Sequence, residues 1–210
     1  MKEKEWLEKR KKGISGTDAS AILGLNPYKT SIDVWSNKVH GLDVPFTSNL
    51  AVEYGLKAEK PLIDLFALDY QEYKVSHKDY DFRVCKEYDF LIGSLDGELI
   101  EKSSGEHGVL EVKTTTILNS MHKEKWNNKI PDNYYIQVLH YMIVTGYSFA
   151  FLKAQLKSII DGETYLQTKH YKINREEVIK DIDYLRGKEI EFWNKYVLTK
   201  KQPPLALPQI

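Results

Sequence analysis

The sequence predicts an α/β fold, and three observations support this prediction. Two apolar-rich runs, 89–95 and 108–114, have the composition of strands, and the polar stretch 102–106 between them has the composition of a turn. Helical spacing of apolar residues precedes this hairpin at 48–70 and follows it at 134–144. Helices on either side of a strand hairpin are typical of a domain that packs helices against a sheet.

Length and patterning indicate one domain. The chain has 210 residues, enough to bury a substantial core. Residues 1–198 carry the patterned segments and form the predicted domain, whereas the tail 199–210 contains Pro203, Pro204 and Pro208 and has no pattern for regular structure. We expect this tail either to be disordered or to contact a neighbouring subunit.

Composition excludes several classes of protein. The single cysteine, Cys85, excludes an internal disulfide framework and any four-cysteine zinc or iron–sulfur site. The formal net charge is zero, so a nucleic-acid surface would have to be local, with 9–12 and 123–129 as basic candidates. No segment is long and apolar enough to span a membrane, and the charged N-terminus is unlike a signal peptide. We therefore expect a cytoplasmic protein without a membrane partner.

Three helices are predicted before the long helix at 48–70. The first, at 2–12, is charged and has Trp6 and Leu7 as its apolar contacts. Hydroxyl residues before a helix and glycine just after it are typical caps. For the second helix, the N-cap is predicted to be Ser15 or Thr17, and Gly24 follows its end. For the third helix, Ser31 is the predicted N-cap and Gly41 follows its end.

The helix at 48–70 and its two neighbours leave some boundaries open. Pro61 either kinks this helix or divides it in two. The polar and aromatic stretch 72–88 predicts one or two edge strands that end at 84–85. After the hairpin, 115–128 is predicted to be helical.

The last third of the chain predicts a helix, a second hairpin and a final helix. Asp132 can cap the helix after the first hairpin, which ends near Gly146. The second hairpin has strands 149–156 and 165–173. Asn174 can cap the final helix, which carries an apolar stripe.

Acidic residues lie in the first hairpin where strand packing would not place them. Asp96 closes the first strand, and Glu111 lies in the second strand between Leu110 and Val112. Residues two apart share a strand face, so Glu111 and Lys113 point the same way, and antiparallel pairing can bring Asp96 beside Glu111. Two close carboxylates repel each other unless a cation holds them together, and Mg²⁺ takes such oxygen ligands.

The order Asp96, then Glu111-x-Lys113, on a hairpin with apolar flanks resembles the PD-(D/E)xK nuclease core. The usual proline before the aspartate is absent, and Ser94-Leu95-Asp96-Gly97 stands there instead. That sequence, followed by Leu110-Glu111-Val112-Lys113, is similar to the YqaJ-like viral recombinase and lambda exonuclease family. A Glu-x-Lys pair alone is also typical of a solvated charge pair on a strand.

Residues 10–24 add a second match. They contain R-x-x-x-I-S-G-T-D-A-x-x-I-L-G, which resembles the N-terminal signature of this family. The resemblance places binding of a DNA 5′-phosphate on Arg10 and Thr17, and a guanidinium and a hydroxyl at a helix N-terminus suit phosphate. The alternative is that Arg10 belongs to a solvated basic run and Thr17 only caps its helix.

The resemblance implies roles for further residues. In this family a Gly-x-x-x-Glu precedes the hairpin and supplies a metal-site glutamate, here Glu59, with Glu53 as a competing choice. In the helix after the hairpin, Gln137 matches a glutamine that helps orient the lysine and the substrate, and Tyr141, four residues on, is assigned to DNA binding. Ser94 is expected to add a phosphate contact or to be only a small turn residue.

The resemblance implies a mixed central sheet flanked by helices and Mg²⁺-dependent phosphodiester hydrolysis, with Mn²⁺ able to substitute. One or two ions would lie among Asp96, Glu111 and the Val112 carbonyl, with Glu59 near the second, and Lys113 would position the attacking water or stabilise phosphate charge. The implied substrate is a double-stranded DNA end, degraded 5′ to 3′ to expose a 3′ single strand for a phage-type annealing protein. A homotrimeric ring and a bacterial host cytoplasm are implied as well.

Two other functions stay open. One is a nuclease with the same core, either a restriction-type endonuclease or a helicase-associated module, and cleavage of closed circular DNA would distinguish it. The other is a non-catalytic DNA-binding domain. The presence of Asp96, Glu111 and Lys113 together argues against that domain, because a degenerate site would have little reason to hold all three.

Overall fold

The computed structural model describes residues 2–43 and 49–205. The helices are α1 (Glu3–Arg10), α2 (Gly16–Ile22), α3 (Ser31–His40), α4 (Leu50–Asp69), α5 (Ser120–Glu124), α6 (Asp132–Thr145) and α7 (Ile179–Phe192). The strands are β1 (Tyr73–Ser76), β2 (Arg83–Val84), β3 (Ile92–Gly93), β4 (Gly97–Glu101), β5 (His107–Ile117), β6 (Phe149–Ile160) and β7 (Glu163–Asn174). A 3₁₀ turn, Arg175–Val178, precedes α7, and a π-helical turn, Trp193–Val197, follows it. Over these residues, no helix combines the length and apolarity that a membrane crossing requires.

A mixed five-stranded sheet in the order β1-β4-β5-β6-β7 forms the centre of the molecule. β5 and β6 are parallel, and the other neighbours in this sheet are antiparallel. The parallel pair needs a crossover, which α5 and α6 provide. β2 and β3 form a separate two-stranded sheet. The predicted α/β class, with a mixed central sheet flanked by helices, is confirmed.

Helices cover both faces of the sheet because successive strand residues point to opposite sides. Val109 and Leu152 belong to the core shared with α2, α6 and α7. Their neighbours Leu110 and Phe151 belong to a second core, shared with α4. Each fully buried side chain of this size contributes about 1.5–3 kcal/mol, so the helices are held against the sheet from both sides.

The predicted strand 89–95 is wrong as the partner of β5, which pairs with β4 instead. The segment is apolar because it is buried between other elements. Leu91 forms a bridge with Ile14, ahead of α2, and His140 of α6 donates from Nε2 to the Ile92 carbonyl at 2.8 Å. Only Ile92–Gly93 is a strand, β3, and it pairs with β2, so burial and not pairing with β5 accounts for the apolar composition of this segment.

The predicted helix at 115–128 is largely wrong. Residues 114–117 continue β5, because they pair with residues 155–158 of β6. Three of them are threonines, whose β-branched side chains favour strands. Only α5 is helical in this stretch.

The remaining strand predictions are confirmed, and the long helix is continuous. β1 and β2 lie within 72–88, the turn 102–106 connects β4 to β5, and β6 and β7 form the second hairpin, longer than predicted. α4 passes through Pro61 as one helix. Its cap is Asn49, whose side chain accepts two backbone N–H groups of the first turn.

Helix caps agree with the prediction at the C-terminal ends. Gly24, Gly41 and Gly146 have positive φ after α2, α3 and α6, a conformation that glycine adopts without strain. Two predicted N-caps are wrong. Asp132 is the first residue of α6 instead of its cap, and Asn174 precedes the 3₁₀ turn instead of α7.

The predicted cap of α3 is also wrong. Thr30 caps this helix, and its hydroxyl accepts the N–H of Asp33 at 3.2 Å. Ser31 instead donates to the Pro204 carbonyl at 3.2 Å, which ties the described part of the C-terminal tail to α3. The last tail residues, 206–210, lie outside the described residues.

A lysine is buried under α4. Lys153 of β6 is 1 % exposed, and its Nζ has no hydrogen-bond partner among the described residues. The nearest carboxylate, Asp69, lies 3.6 Å away, and the Phe66 ring centroid lies at 5.9 Å. Burial lowers the pKa of the Lys153 ammonium, with Asp69 acting in the opposite direction. This charge therefore costs stability.

Replacing Lys153→Met should raise the free energy of unfolding by about 1 kcal/mol, because an apolar chain of similar length fills the space. In the wild type the pKa is lowered in the folded state, so stability should fall as pH decreases from 10.5 through that lowered pKa. This dependence should be weaker in the variant. Urea unfolding at pH 7 and pH 10 measures both effects. Lys180→Met, at an exposed position of α7, is the control.

Candidate active site

Antiparallel pairing of β4 with β5 brings two carboxylates together. Gly97 lies opposite Leu110, so Asp96, one residue earlier, is level with Glu111. Asp96 Oδ2 accepts the backbone N–H of Val112 at 2.8 Å. This hydrogen bond fixes the Asp96 carboxylate beside the strand that carries Glu111.

Glu111 is a deeply buried acid, only 1 % exposed. Its Oε1 accepts from the Gln137 amide at 2.7 Å and from the Lys113 ammonium. Its Oε2 is buried with no hydrogen-bond partner in the described part of the chain. A charged oxygen in that position is costly unless a proton or a cation joins it.

The charges of the site act on one another. Burial raises the pKa of the Glu111 carboxyl to about 8, and the charge of Asp96 adds to this rise. Burial also raises the pKa of Asp96, although Lys113 and the Val112 N–H favour its ionised form. Burial opposes the charge on Lys113, but Glu111 and Asp96 outweigh it and raise the lysine pKa. Full ionisation of the carboxyls would place more negative charge here than one ammonium balances, so the site favours an added proton or cation.

Glu59 of α4 is the third carboxylate. It is half-buried, and burial raises its pKa to about 7, with the Asp96 charge acting in the same direction. Glu53, the competing choice, is exposed on the first turn of α4. The structure thus favours Glu59. We call Glu59, Asp96, Glu111 and Lys113 the acidic centre.

Gln137 and Tyr141 of α6 form the wall behind the acidic centre. The Gln137 amide that contacts Glu111 also donates to the Tyr141 hydroxyl at 3.0 Å. Burial and the Glu111 charge raise the pKa of Tyr141, so its hydroxyl stays protonated. A Cβ on Gly16 would lie 2.8 Å from the Gln137 side chain and 3.0 Å from the Tyr141 ring. Glycine therefore lets the start of α2 pack directly on this pair.

The residues predicted to bind a 5′-phosphate lie together at the start of α2. The Arg10 guanidinium lies 4.3 Å from the Trp6 ring centroid, and its Nη2 is 3.5 Å from Ser15 Oγ. The exposed Thr17 hydroxyl is 3.4 Å from the same oxygen. Ser94 Oγ accepts the Trp6 indole N–H at 2.8 Å, which links α1 to the loop before the acidic centre.

The donor set of the acidic centre suits a hard divalent cation. Asp96, Glu111 and the Val112 carbonyl supply oxygen atoms, the ligands of Mg²⁺ and Mn²⁺. The partnerless Glu111 Oε2 is an atom that a cation would satisfy. Within residues 2–43 and 49–205, no three His, Cys, Asp or Glu side chains are clustered closely enough to hold a metal ion. A cation here would therefore need the Val112 carbonyl and water beside the two carboxylates.

Comparison with known proteins identifies the family. The sequence profile of the YqaJ-like viral recombinase domain matches residues 5–148. The chain belongs to this family. It is 35 % identical to the uncharacterized protein YqaJ of Bacillus subtilis (strain 168) over 205 residues, which cover 98 % of this chain. The chain spans 60 % of the length of that YqaJ relative.

Solved structures match the fold of this YqaJ-like chain. The alkaline exonuclease LHK-Exo of Laribacter hongkongensis aligns with a TM-score of 0.61 at 14 % identity, over 94 % of this chain and 96 % of that chain. LHK-Exo in complex with dAMP aligns with a TM-score of 0.57 at 15 % identity, over 95 % of this chain and 100 % of that chain. A phage related exonuclease from Haemophilus somnus 129PT aligns with a TM-score of 0.57 at 13 % identity, over 90 % of this chain and 96 % of that chain. The predicted family is confirmed, and the chain shares the fold of these exonucleases.

Asp18, within the YqaJ-like stretch, is a residue whose role the sequence analysis did not predict. This buried carboxylate accepts from Ser15 N at 3.0 Å and contacts Lys29 Nζ at 2.5 Å and Lys38 Nζ at 2.9 Å. Burial acts to raise its pKa, but the two lysines hold it well below its usual range. Lys38 also donates to the Arg10 carbonyl at 2.9 Å. The Ser-x-x-Asp spacing of a capping box was the available signal.

His77, just after β1, is a second residue that sequence reasoning missed. Its Nδ1 donates to the Asp96 carbonyl at 2.6 Å, and its Nε2 lies 3.1 Å from Asp79 Oδ1. Burial acts to lower its pKa, but these two contacts raise it. His77 thus holds the backbone of the first carboxylate from the side of β1.

Glu111→Gln should weaken the pH dependence of stability in the metal-free protein. Because the pKa of Glu111 is about 8 when folded and ordinarily 4.5, the free energy of unfolding should fall as pH rises between these values. The fall should be smaller in Glu111→Gln by on the order of 2 kcal/mol. Urea unfolding in EDTA at pH 5 and pH 8.5 measures it.

The matched control is Glu53→Gln, at an exposed position of α4. It should keep the wild-type pH dependence. An unchanged dependence in Glu111→Gln would contradict the charge crowding at the acidic centre.

Proposed function

We propose that this chain is a divalent-metal-dependent deoxyribonuclease that degrades double-stranded DNA from its ends. It removes the 5′ strand in the 5′ to 3′ direction and leaves a 3′ single strand for recombination by annealing. Membership of the YqaJ-like viral recombinase family and the likeness of its fold to alkaline exonucleases support this proposal.

One observation carries the proposal. Glu111 is buried with a partnerless Oε2, beside Asp96 and in contact with Lys113. A folded protein that only bound DNA would gain nothing from crowding these charges, and their mutual cost would favour their loss. Crowded carboxylates beside an ammonium are instead typical of a centre that acts on phosphate.

Asp96, Glu111 and the Val112 carbonyl would hold Mg²⁺ or Mn²⁺, and Glu59 would serve a second ion. The cation supplies Lewis acidity, which lowers the pKa of water and stabilises charge on the phosphate. The Val112 N–H and the His77 ring keep Asp96 in place, and Gln137 keeps the orientation of Glu111.

Lys113 acts as a positive charge instead of a general base. Its raised pKa keeps the ammonium protonated at neutral pH, and contact with Glu111 fixes its direction. The Tyr134 ring, 5.4 Å from Nζ, shields the other side. A fixed ammonium beside the scissile phosphate stabilises the negative charge that develops on its oxygens and orients the attacking water.

Arg10 and Thr17 recognise the 5′-phosphate of a DNA end, and Ser94 and Tyr141 add contacts to the DNA. Trp6 stacking and the Ser15 hydroxyl hold the Arg10 guanidinium. Because Gly16 packs on the Gln137–Tyr141 pair, the end-binding group and the acidic centre share one wall. A single-strand annealing protein as partner, a homotrimeric ring and the cytoplasm of a bacterial host belong to the same proposal.

Digestion of linear duplex DNA with Mg²⁺ tests the activity. Linear DNA with 5′-phosphates should be degraded, EDTA should block degradation, and a covalently closed circle should stay intact. Cutting of the circle would show an endonuclease, and the absence of any cleavage would favour a DNA-binding domain.

Lys113→Ala should reduce cleavage by about 100-fold or more, because the fixed ammonium is lost near the phosphate. Duplex binding, measured by fluorescence anisotropy, should change little, and circular dichroism checks that the variant is folded, since Glu111 loses one of its partners. Full activity in this variant would rule out the role of Lys113.

Arg10→Ala should slow degradation of 5′-phosphorylated ends by about 10-fold and leave 5′-hydroxyl ends nearly unchanged, since only the former offer the guanidinium a terminal phosphate. Initial rates on the two substrates, compared pairwise, measure this difference. Lys12→Ala, at an exposed position of the same basic run, is the matched control. Equal losses on both ends would contradict 5′-phosphate recognition.

A further inference from the structure

A groove lies between the first turn of α4 and the end of β5. Its volume is about 530 Å³, within the range of ligand sites. Two walls are apolar: Leu50 is 85 % exposed and Leu118 is 74 % exposed. Neither the acidic centre nor the end-binding residues line this groove, and the proposed function has so far given it no task.

The polar lining of the groove suits a polyanion. Lys157 of β6 supplies an ammonium, and no acidic residue is among the described residues that line the groove. Thr114 and Thr116 border it as well, and because they are two apart on β5 their hydroxyl-bearing side chains share the face toward α4. Hydroxyls and ammonium groups are the usual partners of phosphate oxygens.

An aromatic ring is fixed beside this ammonium. Lys157 Nζ lies 5.5 Å from the centroid of the Tyr54 ring. The Tyr54 hydroxyl donates to Gln155 Oε1 at 2.5 Å, which holds the ring at the groove. A ring next to a positive charge is the combination that binds single-stranded nucleic acid, because unpaired bases stack on the ring while phosphates meet the charge.

The groove is connected to the acidic centre along α4. On β5, Thr114 directly follows Lys113, but the two side chains point to opposite faces of the strand. On α4, Gly55 approaches Thr114 so closely that an added Cβ would lie 3.1 Å from its hydroxyl, and Glu59 follows one turn later.

We propose that this groove binds single-stranded DNA next to the point of cleavage, with a base against Tyr54 and a phosphate at Lys157 and the threonine hydroxyls. This inference rests on the proposed function. Apolar walls suit unpaired bases, since a duplex presents mainly phosphates and sugars to a protein surface.

Anisotropy of a fluorescent 12-nucleotide oligodeoxythymidylate in EDTA tests the proposal without cleavage. Tyr54→Leu should weaken binding by about 5-fold or more, because the stacking surface is lost. Lys157→Gln should also weaken binding and reduce the slope of log K against log salt by about 0.7. Lys180→Gln, at an exposed position of α7, is the matched control and should bind like the wild type.

A second measurement uses the unaltered protein, so it does not depend on the folding of variants. The same oligonucleotide with one 5-iododeoxyuridine should crosslink under ultraviolet light to the peptide that contains Tyr54. Crosslinks found only on other peptides would overturn the proposal.

The failure of this inference is distinguishable from failure of the proposed function. If the wild type degrades linear duplex DNA but does not bind the oligonucleotide, or if both groove variants bind it like the wild type, only the groove is overturned. If the wild type neither cleaves nor binds any DNA, both proposals are overturned.

Discussion

The buried Glu111 carboxylate is the constraint on which the rest of the structure depends. A charge in the interior of a sheet persists only if its surroundings compensate it. Lys113 and Gln137 compensate one of its oxygens, and the other has no partner among the described residues. β5 must therefore be held so that β4 delivers Asp96 on one side and α6 delivers Gln137 on the other. The parallel pairing of β5 with β6, buried by helices on both faces, provides that rigidity.

A second buried carboxylate, Asp18, constrains the N-terminal third of the chain in the same way. Asp18 is buried, and Lys29 and Lys38 compensate it from outside α2. Because Lys38 also holds the last turn of α1, the position of Arg10 depends on this network and on the Trp6 ring. The two charged groups meet where α2 packs on α6. Arg10 and Thr17, which are proposed to bind a DNA end, and the acidic centre are therefore parts of one packed unit.

Sequence reasoning succeeded where a function depends on local spacing. Glu111 and Lys113 share a strand face by their separation of two, and a glutamine on an apolar helix signals a buried partner, which Gln137 has. Sequence reasoning failed where tertiary contacts determine the secondary structure or the partner of a residue. Residues 89–95 are apolar because other elements surround them, and β4, with its acidic ends, carried a weak strand signal. The contacts of His77 and Asp18 join residues 11 to 20 positions apart, and no local pattern marks such pairs.

Under the two proposals, α4 would couple binding of the single strand to cleavage. Its N-terminal part lines the groove and includes Tyr54, Gly55 then meets Thr114, Glu59 belongs to the acidic centre, and Leu62 and Phe66 fill the core below. A rigid helix moves these positions together, since its residues rise by only about 1.5 Å each. A nucleotide that binds at Tyr54 therefore acts on the same element that carries Glu59. Placement of the strand and placement of the carboxylate are then one structural event, and the core contacts of α4 set the precision of both.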